Sequence, residues 1–167
     1  LISFLESKIP TPLVETLKMR ALGFLKIPLI FFVSPSVVEL TDEKCVVKIR
    51  LNYRTKNHLG SMYFGTLATG ADIAGGLIAW RLISQNGNRV NLVFKEFHAD
   101  FLKRPEGDVY FTCTDGVQIK QLVERALASS ERENLPVTII ATCPAKLGQE
   151  PVAKFTLTLS LKKKKSA

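Results

Sequence analysis

Cysteine is scarce in this chain of 167 residues, and the three present, Cys45, Cys113 and Cys143, are odd in number and far apart. That excludes a disulfide framework, and no C-x-x-C pair offers a redox centre or half a zinc site. Each cysteine lies in a strand-like apolar run, where a free thiol behaves as a small buried hydrophobe. A reducing compartment is therefore expected, hence a cytoplasmic location, and no secretory leader is legible. Only two histidines occur, His58 and His98, and with no zinc pattern around them no metal is expected. Negative charge is in deficit: 15 acidic residues face 23 basic ones, a net charge of +8. Half of that excess is Lys162, Lys163, Lys164 and Lys165, which read as a solvated tail able to touch an anionic membrane. The rest is scattered, without a basic helix or interleaved basic and aromatic residues, so nucleic acid is not an expected partner. A phosphate-bearing substrate suits the same surplus. A long apolar run is also missing from residues 21–33, which Lys26 and Pro28 interrupt.

Charge is missing most conspicuously from residues 59–80, LGSMYFGTLATGADIAGGLIAW, where Asp72 is the only ionisable group apart from the tyrosine. Glycine within a helix costs roughly 1 kcal/mol against alanine, so Gly65, Gly70, Gly75 and Gly76 imply a helix gripped closely by another backbone. An unpaired charge in such surroundings is costly, so the carboxylate is neutralised, hydrogen-bonded or used. Three readings stand together: a functional acid, a core aspartate bonded to a neighbouring backbone N–H, and a weakly apolar membrane span with an acid in it.

The rest of the chain reads as one domain of class α+β. Thr11-Pro12 opens a helix with Thr11 as N-cap, and Gly23 is a plausible stop. Strands 37–40 and 45–53 flank the turn Thr41-Asp42-Glu43-Lys44, with Cys45, Val47, Ile49, Leu51 and Tyr53 on one face. After the central helix a turn at residues 85–88 leads into a long strand, 89–103, whose alternation slips at Lys95-Glu96 and implies a bulge. Strand 109–114 follows. Asp115 is placed to cap an amphipathic helix whose stripe is Ile119, Leu122, Val123, Ala126 and Leu127. Strands 137–143 and 153–161 complete the order, the last with Thr156, Thr158 and Ser160 facing outward. A single glycine-rich helix suits a curved sheet wrapped around it. The far face of that sheet then needs cover, most simply by self-association. The expected organisation is an N-terminal helix and connector (1–36), one domain (37–161) and a basic tail (162–167).

The run Asn57-His58-Leu59-Gly60-Ser61-Met62-Tyr63-Phe64-Gly65, with Asp72 on the following helix, resembles the hotdog-fold acyl-CoA thioesterase superfamily, in its phenylacetyl-CoA-thioesterase-like branch. There an Asn and a Gly precede a His-Gly-Gly turn, and an acid follows nine residues after the His; here Asp72 is nine after Tyr63. The segment Phe101-Leu102-Lys103-Arg104-Pro105-Glu106-Gly107-Asp108-Val109 is similar to the superfamily's third and fourth strands. A similar Gly-Ser-x-Tyr-Phe-Gly stretch occurs in one branch of it. The departure is that Tyr63-Phe64 stands where the hydrolases have His-Gly.

The resemblance implies a hotdog fold and hydrolysis of acyl-CoA or a related acyl thioester, with coenzyme A entering as part of the substrate and no separate cofactor. Hydrolysis needs an activated water and donors aimed at the developing oxyanion. Asp72 is the candidate base. The N–H of Gly65, at a helix start, is the candidate oxyanion donor. Two helical turns, about 10 Å, separate them along one helix, so both act on one carbonyl only if they come from different protomers. A homodimer is therefore expected, with pairing into tetramers left open. Asn57 is placed to hold water or the thioester oxygen, as its counterpart does in the family, or else to bond its own turn. Tyr63, Phe64 and His58 border the site. His98 reads as structural. Lys95, Lys103 and Arg104 are candidates for the phosphates of coenzyme A, or a solvated strand edge. The alternative function is a non-catalytic acyl-CoA or fatty-acyl binding protein on the same fold. A third reading is a membrane-surface protein anchored by residues 22–33 and the lysine tail.

Overall fold

A computed structural model describes residues 11–164. The first ten residues of the expected N-terminal unit, and Lys165 of the expected tail, lie outside the described residues. Helix α1 (Thr11–Lys26) is followed at once by the short α2 (Pro28–Val33). Gly23 does not end α1. A Cβ there would come within 2.7 Å of the Phe31 backbone nitrogen, so this glycine is what lets α2 fold back across α1. The pair packs on the sheet through Met19, Ile30 and Val33, all buried. Its outer side leaves Phe24, Leu25, Leu29, Phe31 and Phe32 exposed.

Strands β1 (Ser36–Leu40) and β2 (Cys45–Ile49) form the expected hairpin. β2 ends four residues early. Thr55 and Asn52 pull the chain into a turn: Asn52 N–H donates to Thr55 Oγ1 at 2.9 Å, and Thr55 Oγ1 donates to the Arg50 carbonyl at 2.7 Å. Tyr53 is consequently exposed rather than on the buried face with Cys45, Val47 and Ile49. Then come α3 (Phe64–Gln85), β3 (Val90–Phe101), β4 (Val109–Cys113), α4 (Gly116–Ala128), β5 (Glu133–Thr142), the single turn α5 (Pro144–Leu147) and β6 (Pro151–Lys163). The antiparallel sheet has the order β1-β2-β4-β5-β6-β3. The register shifts between Phe94 and Glu96, where the bulge was expected.

Helix α3 is the hub. Five strands span about 19 Å at 4.8 Å spacing, while a helix is about 10 Å across. α3 nonetheless touches β2, β4, β5, β6 and β3, so the sheet bends around it. Gly70 makes this approach possible: a Cβ there would collide with the Phe111 ring on β4. α3 is not a membrane span; no helix among the described residues is long and apolar enough to cross one. α4 packs beside it through Ile119, Leu122, Val123 and Ala126. Asp115 does not cap α4. Its Oδ2 accepts from the Thr138 N–H at 2.7 Å, tying the helix start to β5.

Three expectations about the surface are corrected. Lys162 and Lys163 belong to β6, paired with Asn91 and Val90, and the Lys164 N–H donates to the Arg89 carbonyl, so these lysines are part of the sheet and not of a tail. The far face of the sheet carries Lys48, Tyr110, Thr112, Thr138, Lys154 and Thr156 and needs no cover. Thr158 and Ser160, expected outward and exposed, are buried beneath Glu96 and Arg132, which bond them at 3.3 and 3.1 Å. Besides the outer side of the α1–α2 pair, apolar surface is left open on the helix side of the sheet, at the β3 edge.

Candidate functional site

From Ile73 to Ala79 every residue of α3 is buried. Toward its start the helix opens along one stripe, Phe64, Gly65, Ala68 and Asp72, at the spacing of a helical face. Asp72 therefore lies where the closed core meets open surface. Its carboxylate makes no hydrogen bond or ion pair among the described residues, which removes the reading of a core aspartate bonded to a backbone N–H. Burial alone pushes its pKa from an ordinary 3.8 up to about 6.

Two apolar clefts meet at this carboxylate. One, of about 310 Å³, lies between α3 and β3 and is bounded by Ala68, Thr69, Phe94, Phe97 and Leu157, with Ile27 and Ile30 from the α1–α2 elbow. The other, of about 330 Å³, runs beneath α1 along α3, past Ile73, Gly76, Leu77 and Trp80 to Ile83. From Asp72 to Ile83 is about 16 Å of helix. Among the described residues Asp72 is the only ionisable side chain lining either cleft. The α1–α2 elbow thus belongs to the site, a role the sequence did not disclose.

At the other end of the open stripe, the backbone N–H groups of Phe64, Gly65 and Thr66 have no helical partner, as in any first turn. Tyr63 precedes the helix with extended backbone and gives no side-chain cap. Its ring lies over Gly65, where a Cβ would come within 2.5 Å of the ring edge. Glycine is needed here to admit Tyr63. Tyr63 and Phe64 are exposed and begin a run of aromatic contacts: Tyr63–Phe64 at 4.8 Å, Phe64–Phe101 at 6.3 Å, Phe101–Phe155 at 6.0 Å and Phe155–Phe97 at 5.8 Å. Phe94, Phe97 and Phe101 are all on the helix side of β3 and exposed, because they pair with Leu159, Leu157 and Ala153 of the buried face. The bulge put these phenylalanines out of phase with simple alternation, which is why the sequence did not single them out.

The remaining candidates divide. Asn57 spends its side chain on its own loop: Oδ1 accepts from the N–H groups of Leu59 (2.9 Å) and Ser61 (3.2 Å), and Nδ2 donates to Ser61 Oγ (3.1 Å). This loop is pinned from outside by the Met62 N–H on the Pro105 carbonyl. His58 is exposed in it. Lys103 pairs with Glu150 at 2.5 Å, Arg104 with Glu106 at 3.6 Å and Lys95 with Glu96 at 3.8 Å, all on open surface. His98 is exposed, its Nε2 3.3 Å from Asp100 Oδ1. The thiols supply no nucleophile: burial pushes Cys45 up to about 12 and Cys113 up to about 11, and raises Cys143 as well.

No curated protein matches this chain in sequence. In three dimensions it is similar to a Chlorobaculum tepidum protein of unknown function (14% identical, TM-score 0.77, covering 92% of this chain and 98% of that one). It is also similar to a Pseudomonas aeruginosa protein of unknown function named as a candidate thioesterase (23%, TM-score 0.71, 89% and 96%). A third is a Haemophilus influenzae thioesterase (13%, TM-score 0.66, 93% and 94%). At these identities the likeness establishes the fold, a hotdog. The family model described as a domain of unknown function, DUF4442, matches residues 17–160. That match takes in the α1–α2 elbow, the open stripe and every strand as far as Ser160 of β6, and this chain belongs to the DUF4442 family.

Proposed function

We propose that this protein hydrolyses an acyl thioester, of the acyl-CoA class, at a site completed by a second copy of the chain. The observation that carries this reading is Asp72: a carboxylate without a partner among the described residues, at the meeting of two apolar clefts, with its pKa raised by burial. A base poised near neutral pH is better matched to taking a proton from water than an ordinary aspartate. In the proposed step Asp72 takes that proton as the water oxygen bonds to the thioester carbonyl carbon. The oxyanion is met by backbone N–H groups at a helix start. The C–S bond then breaks, and the thiolate recovers the proton from Asp72. Asn57 acts as a positioning residue, holding the loop that sets the start of α3.

Gly65 and Asp72 lie on one face of α3, since seven residues turn roughly 700°, close to two full turns. Two such helices side by side and antiparallel would bring Asp72 of one near the partner's Gly65. Support comes from the open stripe between them and from β3, a long strand paired on one side only, by β6. The cleft running from Asp72 to Ile83 suits an extended acyl tail. One observation favours the second reading, a non-catalytic acyl binder: the Tyr63 ring lies over Gly65.

Release of free thiol from a panel of acyl-CoAs, by the wild type and by Asp72→Asn, separates the two. The expected result is turnover that the substitution lowers about a hundredfold, the scale of a lost general base. Acyl-CoA binding with no turnover leaves the binder. Equal turnover in both proteins removes Asp72 from the chemistry.

A further inference from the structure

A second cavity, of about 430 Å³, lies at the opposite end of α2 from Asp72 and is lined by Arg20, Arg50, Arg54, Ser34, Asn52 and Tyr53. We propose that it binds the phosphate groups of a small phosphorylated ligand. Three guanidinium groups converge there, and none has a carboxylate within 4.0 Å among the described residues. By contrast the basic residues that the sequence nominated for phosphates, Lys95, Lys103 and Arg104, each have a glutamate. Asp108, whose charge Arg50 feels at longer range, is bonded to other groups: Lys48 Nζ lies 2.8 Å from its Oδ2, and the Leu51 N–H donates to its Oδ1 at 3.0 Å. Three like charges in one concave site, none in contact with a carboxylate among the described residues, are the electrostatic complement of a multivalent anion.

The arginines are held by neutral groups, which leaves their charge available. Arg20 Nε donates to the Pro35 carbonyl at 2.9 Å, and its Nη2 to the Ser34 carbonyl at 3.3 Å and Ser36 Oγ at 3.1 Å, while Nη1 makes no hydrogen bond among the described residues. Arg54 lies against two rings, its guanidinium carbon 5.6 Å from the Phe32 centroid and 5.8 Å from that of Tyr53. Such stacking fixes the plane of a guanidinium and keeps its edge of N–H donors open for a bidentate oxyanion. The chain carrying Arg50 and Arg54 is itself rigid, closed around the fully buried Thr55, with the Arg54 N–H on Asn52 Oδ1 at 2.8 Å. Ser34, which ends α2 in the cleft, has a left-handed φ of +50°, a conformation a serine adopts at a cost.

Phosphate chemistry can come from a coenzyme-A-type carrier or from a free inorganic anion. The two clefts at Asp72 and the arginine cleft are linked by α2, about 9 Å long, whose Ile27 and Ile30 face the first and whose Ser34 faces the second. Phosphate recognition does not depend on the thioester reading. The test is calorimetric titration of the full chain with inorganic pyrophosphate, coenzyme A and phosphate-free pantetheine at low salt. Wild type is compared with Arg50→Gln, Arg54→Gln, Lys103→Gln and Asp72→Asn, each checked for a single cooperative melting transition.

The expected result is that pyrophosphate and coenzyme A bind and pantetheine does not, with affinity about tenfold weaker in either arginine variant and unchanged in Lys103→Gln and Asp72→Asn. Coenzyme A binding more tightly than pyrophosphate identifies the carrier as the source; parity identifies the free anion. Absence of binding by both anions overturns the proposal, as does equal binding by wild type and both arginine variants. Asp72→Asn separates the two readings, because it removes turnover under the proposed function while leaving the anion bound.

Discussion

In the proposed hydrolysis a single carboxylate decides the chemistry, and its surroundings decide when it works. Asp72 must be deprotonated to act as a base, and its pKa is about 6. The expected pH dependence of kcat/KM is therefore a limb that rises with pH, bends near 6 and is flat above it. A limb bending near 4 would mean an ordinary carboxylate. The same shift has a sign for stability. The folded value of about 6 lies above the ordinary 3.8, so the folded chain binds the proton more tightly than the unfolded one. The stability Asp72 contributes is fully present below about pH 4 and is lost as pH rises through about 6. Because the group borders open clefts, the loss is on the order of 1–3 kcal/mol. At pH 7.5 Asp72→Asn should consequently melt a few degrees higher than wild type while being the less active protein. A lower melting temperature would show that the carboxylate has a partner the structure does not give it.

Asp72 was legible in the sequence because it is the lone acid among small and apolar residues on a helix, and Gly65 because a helix start is a local signal. Tyr63 was read in the right place, but its packing over Gly65 depends on a rotamer, which no local pattern encodes. Asn57 had two readings, substrate or own loop, and the hydrogen bonds to Leu59 and Ser61 show the second being used. The arginine cleft was not legible at all. Arg20 and Arg50 are thirty positions apart and line one cleft only because α1 packs on β1, the strand next to β2.

Among the elements, α3 makes the strictest demand. Its glycines are not equivalent. At Gly70 a Cβ would strike the fully buried Phe111 ring, which has nowhere to move; at Gly76 it would come 3.1 Å from the exposed Phe94, which can give way. Alanine gains about 1 kcal/mol of helix propensity at either site. Gly70→Ala should still destabilise the fold by about 1–3 kcal/mol net, whereas Gly76→Ala should be neutral or stabilising. Denaturant titration of the two variants checks the order, and a neutral Gly70→Ala would show that α3 stands further from β4 than described. Elements whose signal is periodic were read correctly: β6 from its alternation, α4 from its stripe, the β3 bulge from a slip in phase. Elements set by a distant contact were misread. Gly23 looked like a helix stop because its partner, the backbone of α2, has no signature near it. β2 was read four residues too long because a buried threonine turns the chain before the apolar alternation fades.

At the scale of the molecule, apolar surface is left open where a second copy would meet it. Self-association was expected over the far face of the sheet, yet that face is polar, and the exposed phenylalanines Phe94, Phe97 and Phe101 are on the helix side at the free edge of β3. The proposed dimer joins these edges and sets the two α3 helices antiparallel. It makes each site a shared one, so two differently damaged chains should repair each other. Asp72→Asn removes the base. Gly65→Pro removes the backbone N–H while keeping a residue suited to a first helical turn. Each variant alone should be nearly inactive. Mixed under conditions that allow subunits to exchange, half the dimers would be hybrid, and each hybrid would hold one intact site of two. The direct measurement is thiol release by that mixture: recovery to about a quarter of wild-type activity is the result expected of a shared site, and a mixture no more active than its two components would contradict it.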